Sequence, residues 1–82
     1  SYTKPLTIHF RSIDIVDLIK KILCHVEMQK NKEITFQLRS DCDKIYLFAD
    51  NHLLFCAFSN ILINACHAIE NAGIISVRIY KK

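Results

Sequence analysis

Two asparagines, Asn60 and Asn64, stand four residues apart in the run from Phe58 to Ile69, whose only other polar side chains are Ser59 and His67. Asparagine is a poor helix former, because its amide competes for nearby backbone groups. Burying such an amide without a partner is costly. A partner inside the fold or a ligand must therefore compensate for both. The chemistry open to them is contact and positioning, since a carboxamide cannot take up a proton in the way a general base does.

Helical spacing sets their direction. At 3.6 residues per turn, Asn60, Asn64, His67 and Asn71 fall on one stripe. Phe58, Leu62, Ala65 and Ile69 fall on the opposite one. Between Asp50 and Asn71, histidine aside, only Asp50 and Glu70 are ionisable acids or bases. A helix so poor in charge is covered on most sides. One side is expected on a sheet, with the amide stripe lining a polar cavity or a partner.

Other chemistries find little support. The four cysteines, Cys24, Cys42, Cys56 and Cys66, include no C-x-x-C pair, so a zinc ribbon is not expected. Cys24, Cys56 and Cys66 lie in apolar helical patterns and read as small hydrophobes in a reducing, cytosolic setting. His52 and Cys56 offer two metal ligands, which do not complete a zinc shell. The formal net charge of +3 is mild and its basic residues are scattered, which argues against nucleic acid. Leu53–Ile69 is apolar but short of the roughly 20 residues a membrane span needs, and polar residues interrupt it.

The elements that must position these residues follow from periodicity. Half of the 82 residues are hydrophobic, with one glycine and one proline, so the chain reads as one packed domain over residues 1–82. Pro5 precedes a short alternating strand, Thr7–Arg11, with Ile8 and Phe10 on one face. Asp14 caps an amphipathic helix to about Gln29, its apolar stripe formed by Ile15, Val16, Ile19, Ile22, Leu23 and Val26. His25 falls near the edge of that stripe and reads as a boundary residue. Lys30-Asn31-Lys32 is a polar break. Ile34–Arg39 alternates as a strand, with Ile34, Phe36 and Leu38 inward. Ser40–Asp43 is turn chemistry, and Lys44–Phe48 is a further strand, paired with its predecessor as a hairpin. Asp50 caps the central helix, Gly73 stops it, and Ile74–Tyr80 is the last strand. The order β-α-β-β-α-β predicts an α+β, two-layer fold, with two helices on one face of a mixed or antiparallel sheet.

Together these residues resemble a known family. Ala49-Asp50, Leu53-Leu54, Asn60-Ile61-Leu62-Ile63-Asn64-Ala65, Ala68-Ile69 and Gly73-Ile74-Ile75-Ser76-Val77 are similar, in order and spacing, to the ATP-binding domain of sensor histidine kinases of the GHKL superfamily. Asn60 to Ala65 resembles the family's N-box, and Ile13–Ile19 the start of its first helix. The resemblance spans nearly all of this chain and about the first half of such a domain. The family's D-x-G-x-G box, its lid and its second glycine-rich box have no counterpart here. None of His9, His25, His52 or His67 sits in a phosphoacceptor context.

The resemblance implies roles. Asn64 matches the asparagine that holds Mg²⁺ bridging the ATP phosphates, and an amide oxygen is a suitable hard ligand for that ion. Asn60 matches the other N-box asparagine, in the catalytic site near the phosphates and metal-bound water. His67 stands where the family commonly has a lysine or arginine reaching the phosphates. Histidine there is a departure, since its charge changes near neutral pH. Some relatives place a glutamate at the Asn60 position as general base. Its absence favours a protein-histidine kinase over an ATPase or kinase of the gyrase, anti-sigma or mismatch-repair type.

The resemblance also implies ATP and Mg²⁺ as cofactors of the intact domain, and a histidine phosphoacceptor domain and a response regulator as its partners. Its setting is cytoplasmic, and an inner-membrane anchor elsewhere in the parent is compatible with it. The 82 residues alone are expected to bind ATP weakly or not at all. A homodimer is expected, because an apolar face and a strand edge are left open. The competing reading is a non-catalytic interaction module of the same fold. From periodicity alone, a structural helix whose amides pair with loop backbone is the simpler account of the stripe.

Overall fold

A computed structural model describes residues 7–29 and 32–81. Among them the order is β1 (Arg11–Asp14), α1 (Ile15–Gln29), β2 (Glu33–Ser40), β3 (Tyr46–Ala49), α2 (Asn51–Ala68) and β4 (Ala72–Ile79). The α+β class and the order of elements are those expected from the sequence. Pro5, Lys30 and Asn31 lie outside the described residues.

The pairing of the strands differs from expectation. β1 and β3 form an antiparallel pair, and β2 and β4 a separate parallel pair. No hairpin joins β2 to β3. Length and pattern explain this. β2 and β4 match over eight residues each, with Ile34, Phe36 and Leu38 on the same face as Ile75, Val77 and Ile79. β3 has four residues and would leave half of that face unmatched. The β2–β4 ladder continues past Ser40, where the Asp41 N–H donates to the Ile79 carbonyl at 3.0 Å. The first strand is also displaced, to Arg11–Asp14 rather than Thr7–Arg11. Ile8 and Phe10 are largely exposed, and the Phe10 ring stacks on Phe48 with centroids 5.7 Å apart.

α1 begins where Asp14 predicts. Its Oδ1 accepts the Val16 N–H at 3.1 Å, and Asp17 lies in the first turn. Val16, Ile19, Ile22 and Val26 are buried as expected, and Leu18 joins them. Asp17 and Lys21 pair at 3.0 Å on the solvent side, a contact of small energetic weight. The core lies where α1 meets α2 over the inward face of β2 and β4. It centres on Ile22, which is fully buried, and includes Ile34, Leu62 and Cys66. Of the cysteines only Cys66 is buried. Cys24 and Cys56 are exposed, so the small-hydrophobe reading holds for neither. No helix among the described residues is long and apolar enough to cross a membrane.

Candidate functional site

The site is the exposed side of α2, and both helix ends are fixed by other parts of the chain. At the start, Asp50 is the N-cap, with its backbone extended. One carboxylate oxygen accepts the Leu53 N–H at 3.0 Å and the other accepts the His9 N–H at 2.8 Å. Asp50 is 9% exposed. The His9 N–H, followed by that of Leu53, holds its carboxyl below the ordinary aspartate value, against the opposing effect of burial. The segment before β1 is thereby tied to the first turn of α2.

At the other end the helix stops earlier than expected. Ile69 is extended, and its N–H donates to the Cys66 carbonyl at 3.2 Å. The Lys32 ammonium donates to the carbonyls of Cys66 and Ile69 at 3.2 and 2.6 Å. These bonds satisfy carbonyls that a helix end leaves open and place a cation at the negative end of its dipole. Gly73 does not terminate the helix. It lies in β4 opposite Ile34 with no positive φ, and a Cβ there would meet the Ile69 side chain at 3.1 Å.

Between these ends α2 carries no aspartate, glutamate, lysine or arginine. Ser59, Leu62 and Cys66 form its buried side. Asn60, Asn64 and His67 are all exposed on the opposite side, so the structure brings the three expected residues together. Asn71 does not join them. It lies in the bend before β4, where its carbonyl accepts the Glu33 N–H at 3.1 Å. Among the described residues, no hydrogen bond engages the side chains of Asn60, Asn64 or His67. Among the described residues the amides are not paired with loop backbone. They face solvent.

An apolar groove of about 600 Å³ runs along the adjacent side of α2. Phe58, Ile61, Leu62 and Ala65 line it from the helix, with Ile75 and Val77 from β4. Asn60 and Asn64 do not line it. Ile61 and Ala65 each follow one of the asparagines in sequence, so the groove adjoins the amide row at about 100° around the helix.

In donor chemistry this row suits a hard divalent ion. An amide oxygen is a hard donor, and Mg²⁺ takes few protein ligands, keeping several waters and binding substrate phosphates. Asn64 and His67 stand near the negative end of α2, which favours a cation. No group of three or more histidines, cysteines, aspartates or glutamates able to hold a metal exists among the described residues. An amide-held Mg²⁺ needs none. Negative phosphates find less here: of the three row residues only His67 can carry positive charge, and Lys32 is already committed to carbonyls.

The Lys32 clamp and the His9–Asp50 bond escaped the sequence reading. Asp50 was legible only as a cap, and nothing in the pattern around Lys32 distinguishes it from a solvated loop lysine. Comparison with protein families and with curated proteins finds no match for this sequence.

Proposed function

We propose that this chain is part of the ATP-binding domain of a sensor histidine kinase, whose reaction moves the γ-phosphoryl group of ATP to a histidine. The observation that carries the proposal is α2 itself: an 18-residue helix without a formal charge other than histidine, exposing Asn60, Asn64 and His67 beside an apolar groove. A solvated helix face is ordinarily rich in charged residues. A face of amides and an imidazole suits a polar ligand, and the groove offers an apolar wall for a ring.

In this reading Asn64 supplies the amide oxygen for Mg²⁺, Asn60 orients the phosphates and metal-bound water, and His67 offsets phosphate charge. When bound, Mg²⁺ neutralises charge on the phosphates. The chain's own residues position and stabilise. No general base is required of Asn60, because an imidazole nitrogen of the acceptor histidine is the nucleophile. The domain works on the cytoplasmic side, with a phosphoacceptor domain and a response regulator as partners. The test is transfer of label from γ-labelled ATP by the full-length protein. Acid-labile phosphohistidine is expected with Mg²⁺, and Asn64→Ala is expected to abolish it. Undiminished labelling in the variant would remove Asn64 from the site.

Self-association belongs to the same proposal. Phe10, Tyr46 and Phe48 are each more than half exposed, and β4 pairs on only one side among the described residues. Open strand edges and apolar surface favour pairing of copies. Light scattering is expected to return the mass of a dimer, and a monodisperse monomer would contradict it.

A second reading, a non-catalytic interaction module, draws on two exposed apolar side chains of α2, Leu53 on the face of the amides and Ile61 on the adjoining groove side. Its signature is a thermal stability that does not respond to Mg²⁺ and ATP in the full-length protein.

A further inference from the structure

Carbonyls at the two ends of β4 show which of its backbone groups are already engaged. The Asn71 carbonyl accepts the Glu33 N–H at 3.1 Å and the Ile79 carbonyl accepts the Asp41 N–H at 3.0 Å, both from the β2 side. Backbone groups of successive residues in a strand point to opposite edges. Gly73, Ile75, Val77 and Ile79 therefore face β2, and Ile74, Ser76 and Arg78 direct their N–H and C=O groups to the other edge. No strand pairs there among the described residues. The apolar groove beside α2 is bounded by Ser76 and Arg78 as well as by Ile75 and Val77, so it opens along this unpaired edge. On the far face Ser76 Oγ donates to Gln37 Oε1 at 3.3 Å, and the Arg78 guanidinium lies 5.5 Å from the Tyr80 ring centroid. Ile74 and Tyr80 share that face and are 62% and 55% exposed.

We propose that this edge pairs with the β4 edge of a second copy, antiparallel about a two-fold axis at Val77. The inference rests on the self-association proposed above and names its surface and register. Symmetry and composition select that register. A two-fold axis normal to the sheet keeps the apolar faces of both copies on one side. A one-residue slip is excluded, because it sets groove-side residues opposite far-side ones. Of the central registers left, one centred on Arg78 sets two guanidinium groups directly opposite each other, and like charges there are destabilising. One centred on Ser76 sets Gly73 opposite Ile79 and Ala72 opposite Tyr80, leaving large side chains against small ones. Centring on Val77 sets Ile75 opposite Ile79, Ile74 opposite Tyr80 and Ser76 opposite Arg78. Each large apolar side chain then has an apolar counterpart, and no like charges meet. Ser76 and Arg78 exchange both N–H···O bonds across the seam, and Val77 meets Val77 as a non-hydrogen-bonded pair with Cα atoms about 4.5 Å apart. The grooves of the two copies adjoin, which gives Ile61, 62% exposed on the groove wall, an apolar neighbour.

The test is oxidative cross-linking of the full chain, with Cys24, Cys42 and Cys56 replaced by serine, buried Cys66 kept, and one cysteine placed on β4. Val77→Cys should link two copies, since a Cα spacing of about 4.5 Å is within disulfide reach. Ile74→Cys, six residues out of register and so about 20 Å from its counterpart, should not. Ser76→Pro removes an N–H from the open edge and none from the β2 ladder. It should keep the circular dichroism of the fold and weaken dimerisation by about tenfold or more in light scattering. The cysteine pair decides alone where Ser76→Pro does not fold. A wild-type dimer in which Val77→Cys links no better than Ile74→Cys, or a folded Ser76→Pro of unchanged dimer affinity, would overturn this surface and leave self-association standing. A monomeric wild type would overturn both.

Discussion

The ammonium of Lys32 lies 2.6 Å from the carbonyl oxygen of Ile69, a residue 37 positions further along the chain. With its second bond, to the Cys66 carbonyl, it fastens the approach to β2 onto the last turn of α2. That turn carries His67 and follows Asn64 directly. The end of the candidate site is thus held by a side chain that makes no part of its exposed surface.

Replacing Lys32 by methionine removes the cation and keeps the aliphatic stem. A loss of about 1–2 kcal/mol is expected, from two charge-assisted hydrogen bonds and one favourable dipole contact on a partly exposed group. Urea denaturation measures the loss. Amide hydrogen exchange should quicken at the C-terminal turn of α2 and not at its start. Equal exchange at both ends would deny Lys32 its anchoring role.

Asp50 gives a pH signature. Its folded carboxyl lies below the ordinary value of 3.8, chiefly through the His9 N–H. The sign follows from linkage: a lowered folded value means stabilisation that is complete above 3.8 and is lost as pH falls through the folded value. Asp50→Asn keeps a capping oxygen but no charge. The wild type should therefore melt higher than the variant at neutral pH, and the gap should close at the acid end of that window. A gap that is constant with pH would show that the charge contributes nothing.

Both ends of the secondary structure around the site illustrate what the sequence discloses. Asp14 and Asp50 announce helix starts because a cap acts on residues two or three positions away, all within one short string. The alternation of Ile34, Phe36 and Leu38 announces a buried face for the same local reason. Which strand pairs with which is decided by residues far apart, so β2 could be read as half of a hairpin when its partner is β4. Gly73 misled for a related reason: it makes room for Ile69, a packing fact, where a left-handed helix stop was expected. The amide row was legible as a stripe, but its exposure was not, because periodicity gives direction around a helix and not what covers it.

Ser59 Oγ is buried without a hydrogen-bond partner among the described residues. An unsatisfied hydroxyl costs desolvation and returns nothing. Ser59→Ala should be neutral or stabilising by up to about 1 kcal/mol in chemical denaturation. A clear destabilisation would mean that the hydroxyl has a partner in solution.

Ile22, fully buried at the centre of the core, has no such latitude. Ile22→Ala should cost about 2–5 kcal/mol, a large share of the 5–15 kcal/mol typical of a domain. A loss below about 1 kcal/mol would place the core elsewhere.

The central claim is that the Asn64 amide meets a nucleotide through Mg²⁺. The most direct measurement is the ATP affinity of the full-length protein by calorimetry, for wild type and Asn64→Ala, each with Mg²⁺ and with the ion chelated. In the wild type Mg²⁺ should tighten binding by about tenfold or more, roughly 1.4 kcal/mol. In the variant the two conditions should give the same affinity. The same gain from Mg²⁺ in Asn64→Ala as in the wild type would contradict the claim.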